Sequence, residues 1–515
     1  MKNVVFLSVA LVAAGAILPA TAQNMSSFSD MPADAVRPTV ANRMPCATIA
    51  GRAFADVTLI QATAYEATAD LPAYCQITGY ISPAIRFEIT LPDRWNRRLY
   101  MFGNGGWAGE NLAAPSRIAT RDAALSRGFM TVQQNSGHDA ATYRLGDFAH
   151  NNMDLLVDYA SRAVHVTVNT AKAIAATYYE RPPSFSYWAG CSTGGRQGLM
   201  AAQRYPADFD GIIAGAPVLA LTDTQLWGVH NAQALNKAPI SVAQLPVLAK
   251  AVMNKCDMID GAQDGLIADP RKCDFDPAAD LPADAGFTPE QVETLKALHE
   301  GVKVDGETVF PGIPWGVEGL TAKDESGWHL WLVSEDGPSR QLLYGETFLH
   351  NMLLLPKSGK DIDWRSFDIA ANYKDTGLIR SIVDATNPDM SEFASRGGRI
   401  LGYFGWSDPA LNPMMNVNFY EQVRETMGEE ETADFYRLFM VPGMFHCTGG
   451  YGTDQFDAVT PLIDWVERGI APEQIMAKQS EPARSRPLCP YPQAAAYGGS
   501  GDVNDAANFS CAASD

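Results

Sequence analysis

Basic residues are scarce in this 515-residue chain, where 39 lysines and arginines face 59 aspartates and glutamates and leave a formal net charge of −20. Proteins that bind nucleic acids gather Lys and Arg against the phosphates, so this balance argues against a nucleic-acid partner. Beyond its N-terminus the sequence also lacks an apolar run long enough to span a bilayer, and we expect no membrane association. The composition, 46% hydrophobic and 19% charged, is that of a globular protein with one enlarged domain or several smaller ones.

The first 22 residues have the composition of a secretory signal. Lys2 precedes an apolar run over residues 4–17, and Ala20-Thr21-Ala22 forms a small-residue cleavage site. The apolar run is too short for a membrane anchor. The sequence therefore predicts a signal peptide over residues 1–22 and a periplasmic or secreted mature protein.

The cysteines predict disulfides rather than free thiols. The chain has eight of them, an even number, and an exported protein meets oxidising conditions. Nearest neighbours along the chain allow three pairs, which are Cys46 with Cys75, Cys256 with Cys273, and Cys489 with Cys511. Cys191 and Cys447 are then left to pair across the chain.

Strand and helix patterns alternate along the chain. Residues 57–60, 74–81 and 85–92 are typical of antiparallel opening strands, and residues 154–179 carry a helical pattern. Buried strands are predicted over residues 98–102, 128–135, 186–189, 209–217, 399–405 and 435–441. The alternation favours a mostly parallel sheet with helices on both faces. Residues 218–398 are too long for an ordinary connection, so we interpret them as a lid domain between core segments 23–217 and 399–515.

Two glycine-rich turns follow predicted strands. Gly190-Cys191-Ser192-Thr193-Gly194 contains G-x-S-x-G between a strand and a helical pattern, the context of a nucleophile elbow that exposes the Ser192 hydroxyl. The loop over residues 103–109 follows strand 98–102, where a glycine-rich backbone can present N–H groups to an oxyanion. An ordinary glycine-rich turn is the alternative for each of them.

An acid and a base follow Ser192 in the order that an α/β-hydrolase triad requires. Asp408 comes directly after the strand predicted over residues 399–405, and His446 lies in the loop after the strand at 435–441. The other seven histidines all precede Asp408, so only His446 satisfies the order. Cys191 and Cys447 directly adjoin Ser192 and His446, and a disulfide between them would hold the nucleophile close to the base.

An acidic loop lies inside the predicted lid. Residues 257–269 carry carboxylates at short intervals with glycines between them, a pattern that can wrap oxygen atoms around a hard cation such as Ca²⁺. The alternative is an acidic solvated turn closed by Cys256 and Cys273. Of the four tryptophans between residues 227 and 331, we expect most in the core and one or two against an aromatic substrate; they are Trp227, Trp315, Trp328 and Trp331.

These motifs resemble the tannase and feruloyl esterase family of α/β-hydrolases, which is marked by a Cys-Ser, Asp, His-Cys arrangement. The matching stretches are residues 103–109, 190–198, 208–217, 405–408, 442–447 and 486–492. The resemblance implies an α/β-hydrolase fold with a large inserted lid. It also implies a triad of Ser192, Asp408 and His446, with an oxyanion hole made by the N–H groups of Gly106 and Thr193.

The same resemblance implies a calcium site in the lid. Its ligands would be the side chains of Asp257, Asp260 and Asp264 and the carbonyls of Ala262 and Leu266. The implied activity is hydrolysis of small aromatic esters, such as feruloyl or galloyl esters. A mono(2-hydroxyethyl) terephthalate hydrolase, a general carboxylesterase, a serine peptidase and an inactive ligand-binding homologue are the alternatives. The sequence does not place a lid arginine (Arg340, Arg365 or Arg380) in the pocket, and it leaves the oligomeric state open.

Overall fold

A nine-stranded sheet organises the described part of the protein. The computed structural model describes residues 38–318, 327–353 and 359–513, so the predicted signal peptide lies outside the described residues. The strands are β1 (Val40–Ala41), β2 (Val57–Tyr65), β3 (Tyr74–Ile81), β4 (Ile85–Pro92), β5 (Arg94–Trp95), β6 (Arg98–Phe102), β7 (Met130–Gln134), β8 (Phe185–Cys191), β9 (Gly211–Gly215), β10 (Val302–Val304), β11 (Glu307–Phe310), β12 (Arg399–Gly405), β13 (Tyr436–Val441), β14 (Ile475–Gln479), β15 (Arg484–Leu488), β16 (Gln493–Tyr497) and β17 (Phe509–Ala513).

The order of strands across this sheet is β13-β12-β9-β8-β6-β7-β4-β3-β2. The three opening strands β2, β3 and β4 pair antiparallel, and β7, β6, β8, β9, β12 and β13 run parallel to one another. Every residue of β6 and β7 is buried, as expected for parallel strands with helices on both faces. The predicted sheet is confirmed, and the fold is that of an α/β-hydrolase.

The helices supply the crossovers between the parallel strands. They are α1 (Pro115–Leu125), α2 (Met153–Val157), α3 (Ala163–Tyr179), α4 (Thr193–Arg204), α5 (Leu221–Lys237), α6 (Leu245–Cys256), α7 (Pro277–Asp280), α8 (Pro289–Glu300), α9 (Trp328–Trp331), α10 (Arg340–Asn351), α11 (Ile369–Asn372), α12 (Gly377–Val383), α13 (Ser391–Ser395), α14 (Pro413–Met427), α15 (Glu429–Phe435) and α16 (Val459–Arg468). A π-helical turn, Asp158–Arg162, separates α2 from α3 within the single helix predicted from the sequence. Across the described ranges, none of these helices combines the length and the apolarity that a membrane span requires.

The chain leaves the sheet after β9 and returns at β12, which pairs directly with β9. Between them, the described residues form α5 to α13 and the β10–β11 hairpin, and they add no strand to the main sheet. Helices α5 and α10 pack closely because glycines lie at their contact. A Cβ atom on Gly345 would lie 2.9 Å from the carbonyl oxygen of Gln225, and one on Gly228 would lie 3.0 Å from that of Gln341.

Four disulfides join the eight cysteines in the pairs that the sequence allows. The pairs are Cys46–Cys75, Cys191–Cys447, Cys256–Cys273 and Cys489–Cys511. Three of them close short loops of 17 to 29 residues, whereas Cys191–Cys447 bridges a sequence separation of 256 residues. Such a set is consistent with an oxidising extracellular or periplasmic compartment.

Candidate active site

Ser192 lies in a sharp turn between the last residue of β8 and the first residue of α4. Its backbone angles are φ 61° and ψ −121°, a region that costs a non-glycine residue on the order of 1–3 kcal/mol. Glycines two residues before and two residues after Ser192 allow the turn to close, since a Cβ atom on Gly190 would lie 2.4 Å from the backbone carbon of Gly194. The strand, strained turn and helix of a nucleophile elbow are therefore all present.

Asp408 and His446 form the second part of the site. His446 Nδ1 lies 2.7 Å from Asp408 Oδ2, and the Asp408 side chain is completely buried. The other carboxylate oxygen, Oδ1, accepts hydrogen bonds from the N–H groups of Ala410 (2.8 Å) and Leu411 (3.0 Å). With Nδ1–H donated to Asp408, His446 keeps Nε2 as an acceptor for a serine proton.

The Cys191–Cys447 disulfide connects the two halves of this site. Its Cα atoms are 6.0 Å apart, and each cysteine is the immediate neighbour of Ser192 or His446. Both Ser192 and His446 line the same cavity. The structure thus brings together the three residues that the sequence singled out.

Hydrogen bonding in the loop over residues 103–109 leaves few N–H groups available for an oxyanion. The engaged donors are Gly103 N to Ala189 O (2.9 Å), Asn104 N to Gln197 Oε1 (3.1 Å), Gly105 N to Glu110 Oε1 (2.6 Å), Ala108 N to Gly105 O (2.8 Å) and Gly109 N to Asn135 O (3.2 Å). Within the described ranges, the N–H groups of Gly106 and Trp107 have no protein acceptor. Thr193, the first residue of α4, donates its hydroxyl to the Gly106 carbonyl at 2.5 Å and so links the loop to the elbow.

A buried polar network holds this loop from behind. The Glu110 carboxylate accepts from Gly105 N and from Asn104 Nδ2, each at 2.6 Å. Asn104 Oδ1 in turn accepts from the side chains of Gln134 (2.7 Å), Ser136 (3.0 Å) and Gln197 (3.1 Å). The sequence carried no signal for Glu110, because its role depends on the folded path of the loop.

The cavity beside Ser192 encloses about 570 Å³, counting its open mouth. Four aromatic rings line it: Trp107 and Tyr159 from the core, and Trp331 and Tyr344 from the inserted segment. Trp107 and Tyr344 are stacked with ring centroids 5.5 Å apart, and the Trp331 ring meets the His446 ring edge-on at 5.7 Å. Of the four tryptophans considered from the sequence, Trp331 is the one that lines this cavity, while Trp227 and Trp328 are fully buried.

A model of the family described as tannase and feruloyl esterase matches residues 71–512 of the chain. The chain belongs to this family. It is 34% identical to a mono(2-hydroxyethyl) terephthalate hydrolase of Piscinibacter sakaiensis, over 88% of this chain and 87% of that one. It is 29% identical to feruloyl esterase B of Aspergillus niger, over 89% of each chain. The crystal structure of feruloyl esterase B from Aspergillus oryzae superposes with a TM-score of 0.76 at 26% identity, over 91% of this chain and 99% of that one. The protein is a carboxylic ester hydrolase.

Three arginines of the inserted segment could not be placed from the sequence. They are Arg340, Arg365 and Arg380, and the structure puts them in different surroundings. The Arg340 guanidinium lies 5.5 Å from the centre of the Trp331 ring, next to the cavity wall. Arg365 lies over Trp364, and Arg380 pairs with Asp223. Arg340 is therefore the one of the three that borders the esterase cavity.

A second cavity of about 560 Å³ lies between the acidic loop and the C-terminal ribbon. Asp260, Asp264, Arg271, Trp406 and Tyr491 are among its lining residues, whereas Ser192 and His446 are not. We therefore take the cavity beside Ser192, and not this one, as the candidate substrate site.

The acidic loop is folded around its own backbone. Asp257 Oδ1 accepts from Gly265 N (2.8 Å), Asp260 Oδ1 accepts from Ala262 N (3.0 Å), and Asp264 pairs with Arg486. Burial, with the negative charges of Asp264 and Asp257, raises the pKa of Asp260 to about 6. Among the described residues, no three His, Cys, Asp or Glu side chains already form a metal-ligand group.

Proposed function

We propose that this esterase hydrolyses aromatic carboxylic esters of the hydroxycinnamate or hydroxybenzoate type through an acyl-enzyme on Ser192. The observation that carries the proposal is the ring of four aromatic side chains around the serine: Trp107, Tyr159, Trp331 and Tyr344. Flat aromatic acyl groups gain from stacked and edge-on contacts with such rings. Several relatives in the same family are named feruloyl esterases, which supports this substrate class.

The proposed reaction assigns one step to each group. His446 Nε2 takes the Ser192 proton as Ser192 Oγ attacks the ester carbonyl, and Asp408 stabilises the imidazolium. The N–H groups of Gly106 and Thr193 donate to the oxyanion. The tetrahedral intermediate collapses, His446 gives its proton to the leaving alcohol, and water repeats the sequence to release the acid.

Hydrolysis of methyl ferulate, methyl gallate, p-nitrophenyl acetate and an anilide by wild type and by Ser192→Ala tests this proposal. We expect kcat/KM on at least one aromatic ester to exceed that on p-nitrophenyl acetate, no hydrolysis of the anilide, and loss of all activity in Ser192→Ala. The exposed Ser366→Ala is the matched control and should behave as wild type. A preference for the acetate would indicate a general carboxylesterase, cleavage of the anilide a peptidase, and full activity of Ser192→Ala would refute the triad.

A terephthalate monoester is the second candidate substrate, and Arg340 favours it. This substrate carries a free carboxylate, and Arg340 is a cation next to Trp331 at the cavity wall. A relative at 34% identity is named for hydrolysis of mono(2-hydroxyethyl) terephthalate. If the carboxylate binds here, Arg340→Ala should raise KM for the monoester about tenfold or more and leave KM for the neutral bis(2-hydroxyethyl) ester unchanged. Arg365→Ala is the control, because Arg365 lies over Trp364 instead.

We further propose that the acidic loop binds a structural Ca²⁺. Its candidate ligands are the side chains of Asp257, Asp260 and Asp264 with the carbonyls of Ala262 and Leu266, an all-oxygen set that suits a hard cation. Ala262 and Leu266 are almost completely buried, and within the described ranges their carbonyl oxygens accept no hydrogen bond. The ion would neutralise the crowded carboxylates, and Asp264 would exchange part of its contact with Arg486 for it.

Calcium titration by calorimetry of chelator-treated protein tests the metal proposal independently of activity. We expect one site, and a melting temperature that falls after chelation and recovers with Ca²⁺. Asp257→Asn should weaken binding, whereas Asp274→Asn, with a side chain 84% exposed, should not. Absence of a binding isotherm would contradict the site.

We also make proposals for the export and the domain organisation of the protein. We propose that the signal peptide over residues 1–22 directs export and is removed, which would suit the four disulfides. We also propose that residues 218–398 act as a lid that shapes the substrate cavity. Mass determination of the mature N-terminus from an exporting host tests the cleavage site, which we place before Gln23.

A further inference from the structure

A buried histidine and a buried glutamate face each other inside the inserted segment. His299 Nε2 and Glu318 Oε1 are 3.5 Å apart, with side chains 5% and 0% exposed. The His299 ring stacks on Trp315, with ring centroids 3.3 Å apart. Neither of the two facing atoms has a hydrogen-bond partner among the described residues. Such a pair is costly to bury unless it shares a proton.

The hydrogen bonds around this pair define where the proton lies. His299 Nδ1 is 2.6 Å from the Ile313 carbonyl, so Nδ1 carries hydrogen and Nε2 is an acceptor. Glu318 Oε2 accepts from Gly316 N at 2.9 Å. Burial lowers the pKa of His299 to about 3 and raises the pKa of Glu318 to about 7. Both groups are therefore neutral in mildly acidic solution, and a hydrogen on Glu318 Oε1 would face His299 Nε2 across 3.5 Å.

The pair connects to the loops that carry the acid and the base through residues 313–316, which we call the strap. His299 binds one end of the strap at the Ile313 carbonyl, and Glu318 binds the other end at Gly316 N. The Gly316 carbonyl accepts from Ser407 Oγ at 3.0 Å and also from the Tyr451 hydroxyl. Ser407 immediately precedes Asp408, and Tyr451 lies five residues after His446.

Two further contacts make this connection rigid. Ser407 Oγ and the Tyr451 hydroxyl are 2.8 Å apart, so the two loops and the strap meet at one point. Just before the strap, the Pro311 carbonyl accepts from Asn412 Nδ2 at 2.7 Å, and Asn412 caps the helix that follows the acid loop. A movement of the strap would therefore be transmitted to the position of Asp408.

We propose that His299 and Glu318 are positioning residues. Their shared proton holds the strap in place, and the strap fixes the position of the Asp408 loop relative to the His446 loop. The inference rests on the triad roles assigned under the proposed function. Neither residue lines the substrate cavity, so their effect is on kcat rather than on substrate binding.

Loss of the shared proton at alkaline pH should loosen the strap. The folded pKa of Glu318 is raised above its ordinary value of about 4.5, so its stabilising effect is complete below that value and is lost as pH rises through about 7. Among the described residues, the Tyr451 phenol is a further titratable group at this junction, and burial raises its pKa further above its ordinary range. Asp257 and Glu318 act on Tyr451 in the same direction, so Tyr451 stays protonated throughout.

Glu318→Gln provides the decisive variant, because an amide copies the protonated carboxyl: it donates to His299 Nε2 and accepts from Gly316 N. With p-nitrophenyl acetate as probe, we expect wild-type kcat at pH 6, and a ratio of variant to wild-type kcat that rises about threefold or more by pH 8.5. The melting temperature of wild type should also fall more steeply over this range than that of Glu318→Gln. Glu392→Gln, an exposed glutamate, is the control and should follow wild type.

Glu318→Leu can make neither contact and should lower kcat about tenfold at pH 6 with KM unchanged, and the loss relative to wild type should be smaller at pH 8.5, where Glu318 of the wild type is ionised. A kcat ratio for Glu318→Gln that stays flat from pH 6 to 8.5, together with parallel melting curves, would overturn the proposal even if Glu318→Leu failed to fold. The melting arm does not depend on the triad, so failure of the Ser192→Ala experiment would refute the proposed function without being mistaken for failure of the strap.

Discussion

The core sheet and the inserted segment build opposite sides of one cavity by different means. Ser192, Asp408 and His446 follow the parallel strands β8, β12 and β13, whose residues are mostly buried. Trp331 and Tyr344 reach the same cavity from short helices of the insertion. We infer that the core sets the chemistry and the insertion sets the choice of substrate.

The two regions also differ in the kind of contact that holds them near the site. The core carries a covalent link, Cys191–Cys447, directly beside Ser192 and His446. The insertion contacts the core near the site through individual polar contacts, such as Gln341 Nε2 to the Pro409 carbonyl at 3.0 Å. Changes at Ser192, Asp408 or His446 of the core should therefore affect all substrates alike, and changes in the insertion should affect some substrates more than others.

The largest effect should come from the acid of the core. Asp408→Asn replaces the acceptor of His446 Nδ1–H with a group that favours the wrong imidazole tautomer, and kcat should fall about 10³–10⁴-fold on every ester. The measurement is kcat on one aromatic and one aliphatic ester. Asp363→Asn, at a side chain 54% exposed, is the control. A loss of kcat confined to one substrate would contradict the inference that the core sets the chemistry for every substrate.

Two disulfides offer the next comparison. In the chain-entropy account, the link across 256 residues contributes about 5 kcal/mol and the link across 22 residues about 3 kcal/mol. Replacing Cys191 and Cys447 by Ser should lower both stability and kcat, because the elbow and the base lose their connection. Replacing Cys489 and Cys511 by Ser should lower stability alone. Denaturant unfolding and kcat at a temperature where both variants are folded separate the two effects, and equal kcat values would contradict us.

Loosening the oxyanion loop should have an intermediate effect. Glu110→Gln keeps an acceptor for Gly105 N but cannot accept from both Gly105 N and Asn104 Nδ2. We expect kcat to fall about tenfold on all esters with KM nearly constant, a smaller loss than removal of an oxyanion donor itself. Steady-state kinetics would check this, and a selective rise in KM would instead place Glu110 in substrate binding.

The smallest effect should come from a residue that the insertion contributes to the cavity wall. Trp331→Leu removes a ring from the cavity, and kcat/KM for methyl ferulate should fall about fivefold relative to p-nitrophenyl acetate, the scale of one aromatic contact. Trp364→Leu, in the insertion but outside the cavity lining, is the matched control. An equal loss on both esters would show that Trp331 acts on His446, whose ring it meets edge-on at 5.7 Å, rather than on the substrate.

The difference between the core and the insertion also explains how much could be predicted from the sequence. The elbow and the order of Asp408 and His446 depend on short stretches beside strands, and the predicted sheet and the four cysteine pairs agree with the structure. In each case a local pattern of glycine, strand and helix carries the information.

The cavity walls depend on contacts between residues that are distant in the sequence, so no local sequence pattern predicts which residues line the cavity. Trp331 was one of four tryptophans with equal standing, and Tyr344 was not singled out at all. Tyr159 belongs to a predicted helix in which the structure shows a π-helical turn, Asp158–Arg162. His299 and Glu318 are separated in the sequence by the hairpin and the strap, and the fold brings them together.

Labelling with an organophosphonate fluoride, followed by peptide mapping, tests whether Ser192 is the nucleophile. We expect one adduct per chain, on Ser192, with activity lost in proportion to labelling. The label should be absent from Ser192→Ala and still present on Ser192 in Trp331→Leu, since the core alone provides the nucleophile. An adduct on another serine, or an unlabelled protein that is nevertheless inactivated, would contradict this assignment.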